Sequence, residues 1–329
     1  MAGQLFAVNS LGGNYAAFNL SKELREGVRA TARFRQFADI KDAWGKVTRS
    51  GQTFTWDTVP MMSRASRALT ETTTIPQGNH TVLQGTLTIN ERGFSVPFTE
   101  ALESLSMIEV RQPIMDVLRY DALCDTEALV HQQFNATPLR VAATATADNV
   151  TLTTNSTATL TVSQQISTTN VKSIIDTMKD RNIPYFKSGD YMAIARHGGL
   201  RKLKDLLEAI HQYTETGLDM IMNGEIGRYA DCRFVEQTVI PAGGAADSTA
   251  FNAFTDTADA WNAAAAPDWA FFFGMDTVCE AMHTPIEVRV KRPDDYGRSQ
   301  GIAWYALHGF GITHTNVTQA RILKWDSAV

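Results

Sequence analysis

The first hundred residues of this 329-residue chain contain too few regularly spaced apolar side chains to build a core of their own. Residues 1–50 mix glycine, asparagine and short apolar patches, with one predicted helix at Ser21–Ala32 that Ser21 can cap. Residues 51–78 are rich in Thr and Ser and only weakly patterned. We therefore expect an extended segment that is held in place by contacts outside itself.

Two strand-like runs follow, Thr81–Ile89 and Phe94–Phe98, joined by Asn90–Gly93. The connector has the composition of a four-residue hairpin loop, in which Gly93 can adopt a positive φ. The predicted hairpin carries few apolar residues on either face, and an isolated two-stranded hairpin is marginal in water. Another copy of the chain is the simplest candidate for the surface that holds it.

Helical periodicity begins near Gln112 and continues to Phe134, which predicts a helix of about 20 residues and about 30 Å. Asp121 falls on its apolar stripe, where we expect an ion pair to satisfy it. Residues 137–169 favour short Thr-rich strands exposed on one face. A second helix, capped by Thr169 or Asn170, and a third helix are predicted from their apolar positions: Val171, Ile174, Ile175 and Met178, then Leu200, Leu203, Leu206, Leu207 and Ile210.

The C-terminal part of the chain is dominated by strand patterns. Ile286, Val288 and Val290 alternate with charged residues, which predicts a half-buried strand. Pro293–Gly297 has the composition of a turn. Buried strands are predicted at Tyr191–Ala195, Trp269–Phe273 and Gly301–Ile312, and Ile322–Trp325 closes the chain. No βαβ unit recurs, so the fold class is α+β.

Composition argues against several classes of function. The net charge is −5 and no basic stripe that could bind DNA phosphates is present. Any partner DNA would therefore be enclosed or bordered by the protein and not clamped through its phosphates. Three widely spaced cysteines form no CxxC pair, which indicates free thiols in a reducing compartment. Neither a signal peptide nor an apolar run of about 20 residues is present, so we expect a cytoplasmic protein without a membrane segment.

Motifs for chemistry are also missing from the sequence. It contains no Walker or dinucleotide glycine pattern and no nucleophile elbow. His308 and His314 lie six residues apart with no third ligand nearby, which argues against a metal site. Asp294 and Asp295 lie among basic residues, which indicates a solvated or an interfacial charge cluster. We therefore predict no catalytic, cofactor-binding or metal-binding residues.

Several local patterns, together with the order of elements, resemble one known family. They are Asn223–Tyr229 followed by Arg233–Glu236, then Asp268–Asp276, and the C-terminal stretch Gln300–Gly311 continuing to Arg321–Leu323. The chain resembles the major capsid proteins of tailed phages with the Hong Kong 97-type fold. Within that group it is similar to the coliphage N-four-like major capsid proteins.

The resemblance implies a division of the chain and a function. Residues 1–50 would form an N-terminal arm and 51–105 an extended loop, while 106–186 with 286–329 would form a peripheral domain and 187–285 an axial domain. Copies would assemble in the host cytoplasm into pentamers and hexamers of an icosahedral virion shell around double-stranded DNA. Expected inter-subunit contacts are Val82, Leu87, Arg92, Phe94, Asp294, Asp295 and Arg298.

Further expectations concern partners and covalent chemistry. The chain begins at the arm, so a separate scaffolding protein is expected unless processing has already occurred, besides a portal and a possible decoration or cement protein. Some relatives join subunits by a lysine–asparagine bond from the extended loop, but this chain has no lysine between Lys46 and Lys172. Two alternatives stay open: an encapsulin-like cargo compartment, which neighbouring genes would distinguish, and an uncharacterised enzyme, which would need a polar pocket with clustered titratable groups.

Overall fold

A 25-residue helix, α2 (Arg111–Asn135), packs on two β-sheets and joins their cores. The computed structural model describes residues 33–42, 53–60, 66, 69–71, 74–75, 77–106, 109–143, 150–154, 166–187, 189–205, 225–240, 267–292 and 294–328. At 1.5 Å per residue the helix is about 37 Å long, enough to cross both sheets. Shorter helices include α1 (Glu100–Leu105) and α3 (Thr168–Asp180), and residues 201–205 are also helical.

The N-terminal half of α2 packs on a four-stranded sheet. In order across the sheet its strands are β1 (Ala38–Asp42), β11 (Val278–Val290), β12 (Ser299–Ile312) and β4 (Asn90–Thr99). Ile114 and Leu118 of the helix bury Ile302 and Trp304 of β12. The strands β11 and β12 form one long antiparallel hairpin, while β1 runs parallel to the first part of β11.

The C-terminal half of α2 packs on a seven-stranded sheet through Val130 and Phe134, which meet Phe271 and Phe273. The helix α3 covers the opposite face of this sheet with Val171, Ile174, Ile175 and Met178. In order across the sheet the strands are β6 (Val150–Thr153), β5 (Leu139–Ala143), β13 (Ile322–Ala328), β10 (Pro267–Phe273), β7 (Tyr191–Arg196), β9 (Cys232–Gln237) and β8 (Glu225–Tyr229).

A separate hairpin pairs β2 (Thr53–Thr58) with β3 (Leu83–Thr88) and packs on the four-stranded sheet. Gly309 and Gly311 of β12 make room for it, since a Cβ on Gly311 would lie 2.8 Å from the Leu87 Cβ, and one on Gly309 would overlap the Thr88 carbonyl. Trp56 fixes the hairpin by donating its indole N–H to the Thr313 carbonyl at 3.0 Å. The described residues between β2 and β3 are mostly exposed.

The predicted hairpin across Asn90–Gly93 is wrong. These residues lie inside β4, which pairs with β12, whereas β3 pairs with β2. Gly93 is needed for close packing and not for a turn, because a Cβ there would lie 2.6 Å from the Trp304 carbonyl oxygen. The local pattern gave two strands correctly but placed them side by side, although their real partners are distant in sequence.

Other predictions from the sequence have mixed outcomes. The long helix, the second helix and the three buried strands are confirmed, and Ile322–Trp325 lies in a further strand whose side chains are buried. The cap of α3 is Ser167, which accepts from the Asn170 N–H, and not Thr169 or Asn170. The prediction of one exposed face is wrong for β5, which is buried along its whole length. Among the described residues Asp121 is satisfied by the Trp304 indole at 2.7 Å and not by a cation.

Some predictions fall outside the described residues, namely the helix at Ser21–Ala32 and the later positions of the third helix. Residues 201–205 are helical, and Leu200 and Leu203 are buried as expected. The predicted domain boundaries do not coincide with the sheets. The strand β11 continues through the 285/286 boundary, and the seven-stranded sheet takes strands from 106–186, 187–285 and 286–329.

Candidate inter-subunit surfaces

The tip of the β11–β12 hairpin projects a charged and aromatic turn into solvent. Asp294 and Ser299 close the turn with two backbone hydrogen bonds of 3.2 Å. Inside it Asp295, Tyr296 and Gly297 have φ between 52° and 94°, and the Tyr296 side chain is fully exposed. The turn predicted from composition is confirmed, and it brings Asp294 and Asp295 together with Arg298, whose guanidinium lies 3.8 Å from the Asp295 carboxylate.

The strand leading to this tip exposes a row of apolar side chains. Ile286, Val288 and Val290 are 37%, 45% and 68% exposed. The prediction of a half-buried strand is wrong here, because the apolar cluster under the N-terminal half of α2 contains residues of β4 and β12 but none from this part of β11. The sequence predicted that one face of this strand is covered, and the structure leaves the three apolar side chains exposed.

A groove of about 390 Å³ lies on the face of the sheet opposite α2. Gly93, Phe94 and Ser95 of β4 line one side, with Arg289 and Tyr305 on the other. The Arg289 guanidinium stacks over the Tyr305 ring at 3.5 Å from its centroid. Phe94, a predicted contact residue, is 54% exposed, which leaves its ring available to a neighbouring molecule.

The other predicted contact residues have different environments. Arg92 forms a half-buried ion pair with Asp125 of α2 at 3.4 Å, so it ties β4 to the helix. Leu87 belongs to β3 and is buried against Cys279 and Ala281 of β11 within its own chain. Val82 lies just before β3 and is 53% exposed. That these residues contact another subunit stays a prediction.

A segment near the N-terminus is anchored by charges that sequence reasoning missed. Glu127 of α2 is buried and accepts the backbone N–H groups of Arg33, Phe34 and Arg35 at 2.9, 2.6 and 3.0 Å. The Arg35 guanidinium then pairs through two nitrogens with the fully buried Glu280 carboxylate at 2.9 and 3.2 Å. No local motif signals these contacts, because their partners are 92 or more residues apart.

Buried ionisable groups lie in the cores. Burial, with a smaller effect from Lys324, lowers the pKa of His131 to about 3. Burial, with Arg35 and Arg92 nearby, lowers the pKa of His308 to about 4. Lys324 is fully buried, lies over the Trp269 ring at 3.6 Å from its centroid and donates to the Asn135 side chain. These groups pack the junction between helix and sheets.

A further ion-pair cluster lies at one end of the seven-stranded sheet. Asp190 is buried and accepts from Arg228 and Arg233, each at 2.8 Å. Burial alone would raise the pKa of Asp190, but the two arginines lower it overall. Lys179 and Arg228 also pair with Asp231. Every acidic group in the cluster has a basic partner, which is typical of a structural network.

The positions considered for chemistry are not assembled into a site. His308 is buried beside Phe310, and His314 instead faces Asp276 at 3.2 Å. The described residues contain no cluster of three or more His, Cys, Asp or Glu side chains that could hold a metal ion. Among the helices within the described ranges, none is long and apolar enough to cross a membrane.

Comparison with known proteins connects this architecture to viral shells. No protein-family model and no curated protein matches the chain. The fold matches the capsid of cyanophage P-SCSP1u with a TM-score of 0.66 and 12% identity, over 95% of this chain and 93% of the other. It matches the capsid of cyanophage Pam1 with a TM-score of 0.64 and 12% identity, over 100% and 99% of the two chains.

A third match is the capsid of a native GTA particle, with a TM-score of 0.60 and 12% identity over 99% of this chain and 100% of the other. The matches cover nearly the full length of both partners, so the whole chain, and not one module of it, shares their architecture. The chain has the Hong Kong 97-type capsid fold. The closer resemblance to the coliphage N-four-like proteins stays a prediction.

Proposed function

We propose that this chain is the major capsid protein of a tailed phage. Its copies assemble into pentamers and hexamers that close an icosahedral head shell around double-stranded DNA. The observation that carries the proposal is the match of the whole chain to capsid chains of phages and of a gene transfer particle. It is supported by the exposed apolar row at Ile286–Val290 and the projecting hairpin tip, two surfaces suited to contact with other copies.

The parts of the chain have proposed roles in this assembly. Residues 1–50 act as the arm, 51–105 as the extended loop, 106–186 with 286–329 as the peripheral domain and 187–285 as the axial domain. The β2–β3 hairpin supports the role of the loop, because the residues at its far end have exposed apolar side chains such as Val59 and Ile75. Since the sheets cross the two later boundaries, those two domains are expected to move as one body.

The role is structural and not enzymatic, and assembly is its mechanism. Each contact between copies is weak, and a closed shell repeats it many times, so the whole is stable although the single pair is not. The expected partners are a separate scaffolding protein, a portal and a possible decoration or cement protein. Assembly takes place in the host cytoplasm, and the mature protein resides in the virion.

The extended loop holds neighbouring subunits through non-covalent contacts. No lysine lies between Lys46 and Lys172, so the loop has no amine with which to form an isopeptide bond. Mature particles boiled in SDS are expected to run as a single monomer band. A ladder of covalent multimers would contradict this part of the proposal.

Negative-stain microscopy tests the function directly. The chain is purified alone and after co-expression with the scaffolding protein encoded near it, and rings or closed shells are expected. Nuclease-protected DNA inside mature particles distinguishes a phage head from a cargo compartment of the same fold. A compact monomer under every condition would contradict the proposal.

A further inference from the structure

Along the half of β11 that leads to the hairpin tip, the outer edge has no partner among the described strands. In the four-stranded sheet its outer neighbour is β1, which pairs only with residues 278–282. Beyond that point, no strand within the described ranges pairs with this edge. The Lys291 N–H donates to the Gly301 carbonyl at 2.8 Å. Because the direction of the backbone N–H and C=O groups alternates along a strand, the backbone groups of Glu287 and Arg289 also point toward β12. The backbone groups of residues 286, 288 and 290 therefore point to the open edge.

The open edge is apolar and regular over a short stretch. The side chains of Ile286, Val288 and Val290 are exposed along it, and an exposed apolar edge is a template for pairing with another chain. Two register shifts, between Met282 and Thr284 and between Thr284 and Glu287, interrupt the strand just before this stretch, and Pro285 lies there too. The irregularities block one end of the edge, so only residues 286–290 are available for pairing.

We propose that residues 286–290 pair antiparallel with the same residues of a second copy, around a two-fold axis at Val288. In this register Val288 faces the partner's Val288, and Ile286 faces the partner's Val290. Glu287 faces the partner's Arg289, so opposite charges meet on the other face of the extended sheet. The sequence of the edge is thus complementary to itself on both faces.

Neighbouring registers are disfavoured by the same charges. An axis at Glu287 would place two glutamates directly opposite each other, and an axis at Arg289 would do the same with two arginines. Like charges in directly opposed positions destabilise a strand pair. Within one chain Glu287 and Arg289 already pair at 2.6 Å on the exposed face, so two copies would bring two such pairs into one alternating cluster.

The contact is small, and it depends on the proposed function only for the setting in which copies meet. A pairing of five residues is weaker than a standard protein–protein interface, so it would not hold an isolated dimer at low concentration. In an icosahedral shell the copies are already held near one another, and two-fold axes relate them. The pairing is then one of several weak contacts that act together.

A cysteine at the two-fold axis tests the pairing. The Cα atoms of directly opposed hydrogen-bonded residues are about 5.5 Å apart, within the range of about 4.4–6.8 Å that a disulfide spans. The native cysteines Cys124, Cys232 and Cys279 are all buried and are not expected to interfere. Assembled particles of Val288→Cys are oxidised and run on a non-reducing SDS gel, where most of the chain is expected as a dimer.

The matched controls test the register. Val290→Cys lies at a position that is more exposed than Val288, but it faces the partner's Ile286, so it is expected to stay monomeric. Adding Ile286→Cys to it is expected to restore the dimer. Monomeric Val288→Cys in particles that microscopy shows to be assembled would overturn the pairing and leave the capsid function intact. Equal dimer formation by Val290→Cys alone would overturn the register.

The two proposals fail in distinguishable ways. If the wild-type chain forms no particles, the capsid function is contradicted. The Val288→Cys gel is then run on the concentrated chain in solution, where the absence of dimers overturns the edge pairing too.

Discussion

The β11–β12 hairpin has two halves with the same strand geometry and opposite surroundings. In the half that starts at Val278, residues 278–281 of β11 and 308–312 of β12 are buried. The β2–β3 hairpin covers one face there, β1 covers the edge, and α2 with the seven-stranded sheet lies on the other face. In the half that ends at the tip, residues 285–290 are exposed, and none of the described strands pairs with the outer edge.

The difference lies in what covers the strands and not in the strands themselves. Gly309 and Gly311 let the β2–β3 hairpin pack against the covered half. The open half keeps exposed apolar side chains, and no element within the described part of the chain covers them. The covered half stabilises the fold of one chain, whereas the open half is the part available to other copies.

The largest expected effect comes from acid, which acts on the covered half. His308 has a folded pKa of about 4 and His131, in the adjoining core, one of about 3, whereas an unfolded histidine titrates near 6.5. Between these values the unfolded state binds more protons, so stability falls as the pH drops from about 6.5 to about 4. Over this range each histidine is expected to lower the free energy of unfolding by on the order of 3 kcal/mol, since a pKa difference of one is worth about 1.4 kcal/mol.

Urea unfolding of the unassembled chain at several pH values measures this effect. His308→Leu is expected to flatten the dependence on pH between about 6.5 and 4, and the exposed His80→Leu serves as its control. If both variants keep the pH dependence of the wild type, His308 is not the group that titrates. Water would then reach the covered half more readily than its burial indicates.

A pair of substitutions on the same face of β12 compares the two halves directly. Gly309→Val forces a Cβ into the Thr88 backbone and must displace the β2–β3 hairpin, at a cost of about 3 kcal/mol in the free energy of unfolding. Ala303 lines the open groove, so Ala303→Val is expected to change the free energy of unfolding by less than about 0.5 kcal/mol. Equal losses in urea unfolding would mean that the open half is covered within the chain.

A smaller effect is expected where the N-terminal segment is anchored. Glu127→Gln removes the charge that accepts three backbone N–H groups and supports the approach of β1 to the covered half. A loss of about 2 kcal/mol is expected, because hydrogen bonds to charged groups contribute about 1.5–3 kcal/mol. Glu103→Gln breaks an exposed ion pair with Arg111 and is the control. Its expected loss in the free energy of unfolding is less than about 1 kcal/mol. A difference within error between the two would refute the anchor.

Local patterns in the sequence predict the helices and strands that are recognisable from the spacing of their own apolar residues. The apolar spacing in α2 and α3 and the aromatic run Trp269–Phe273 indicate helix and strand without knowledge of their partners. Pairing depends on residues that are far apart: β4 pairs with β12 across about 200 residues, so adjacent strand signals suggested a hairpin that does not exist. The anchor at Glu127 has no local signal for the same reason.

The candidate surface shows a second limit. Alternation at Ile286, Val288 and Val290 is the pattern of a strand with one covered face, and it does not say whether the cover comes from the same chain. In a monomer that pattern predicts a core; in an assembling subunit it can equally mark a contact between copies. Asp294, Asp295 and Arg298 were predicted at a turn because the turn chemistry is local, and the structure places them there.

Hydrogen–deuterium exchange on the unassembled chain and on assembled particles tests the central claim most directly. Amides of residues 278–282 are expected to be protected in both states, because β1 and β12 already pair with them. Amides of residues 286, 288 and 290 are expected to exchange fast in the free chain and to become protected on assembly. Unchanged fast exchange at these three amides in closed particles would contradict the claim that the open half joins the copies.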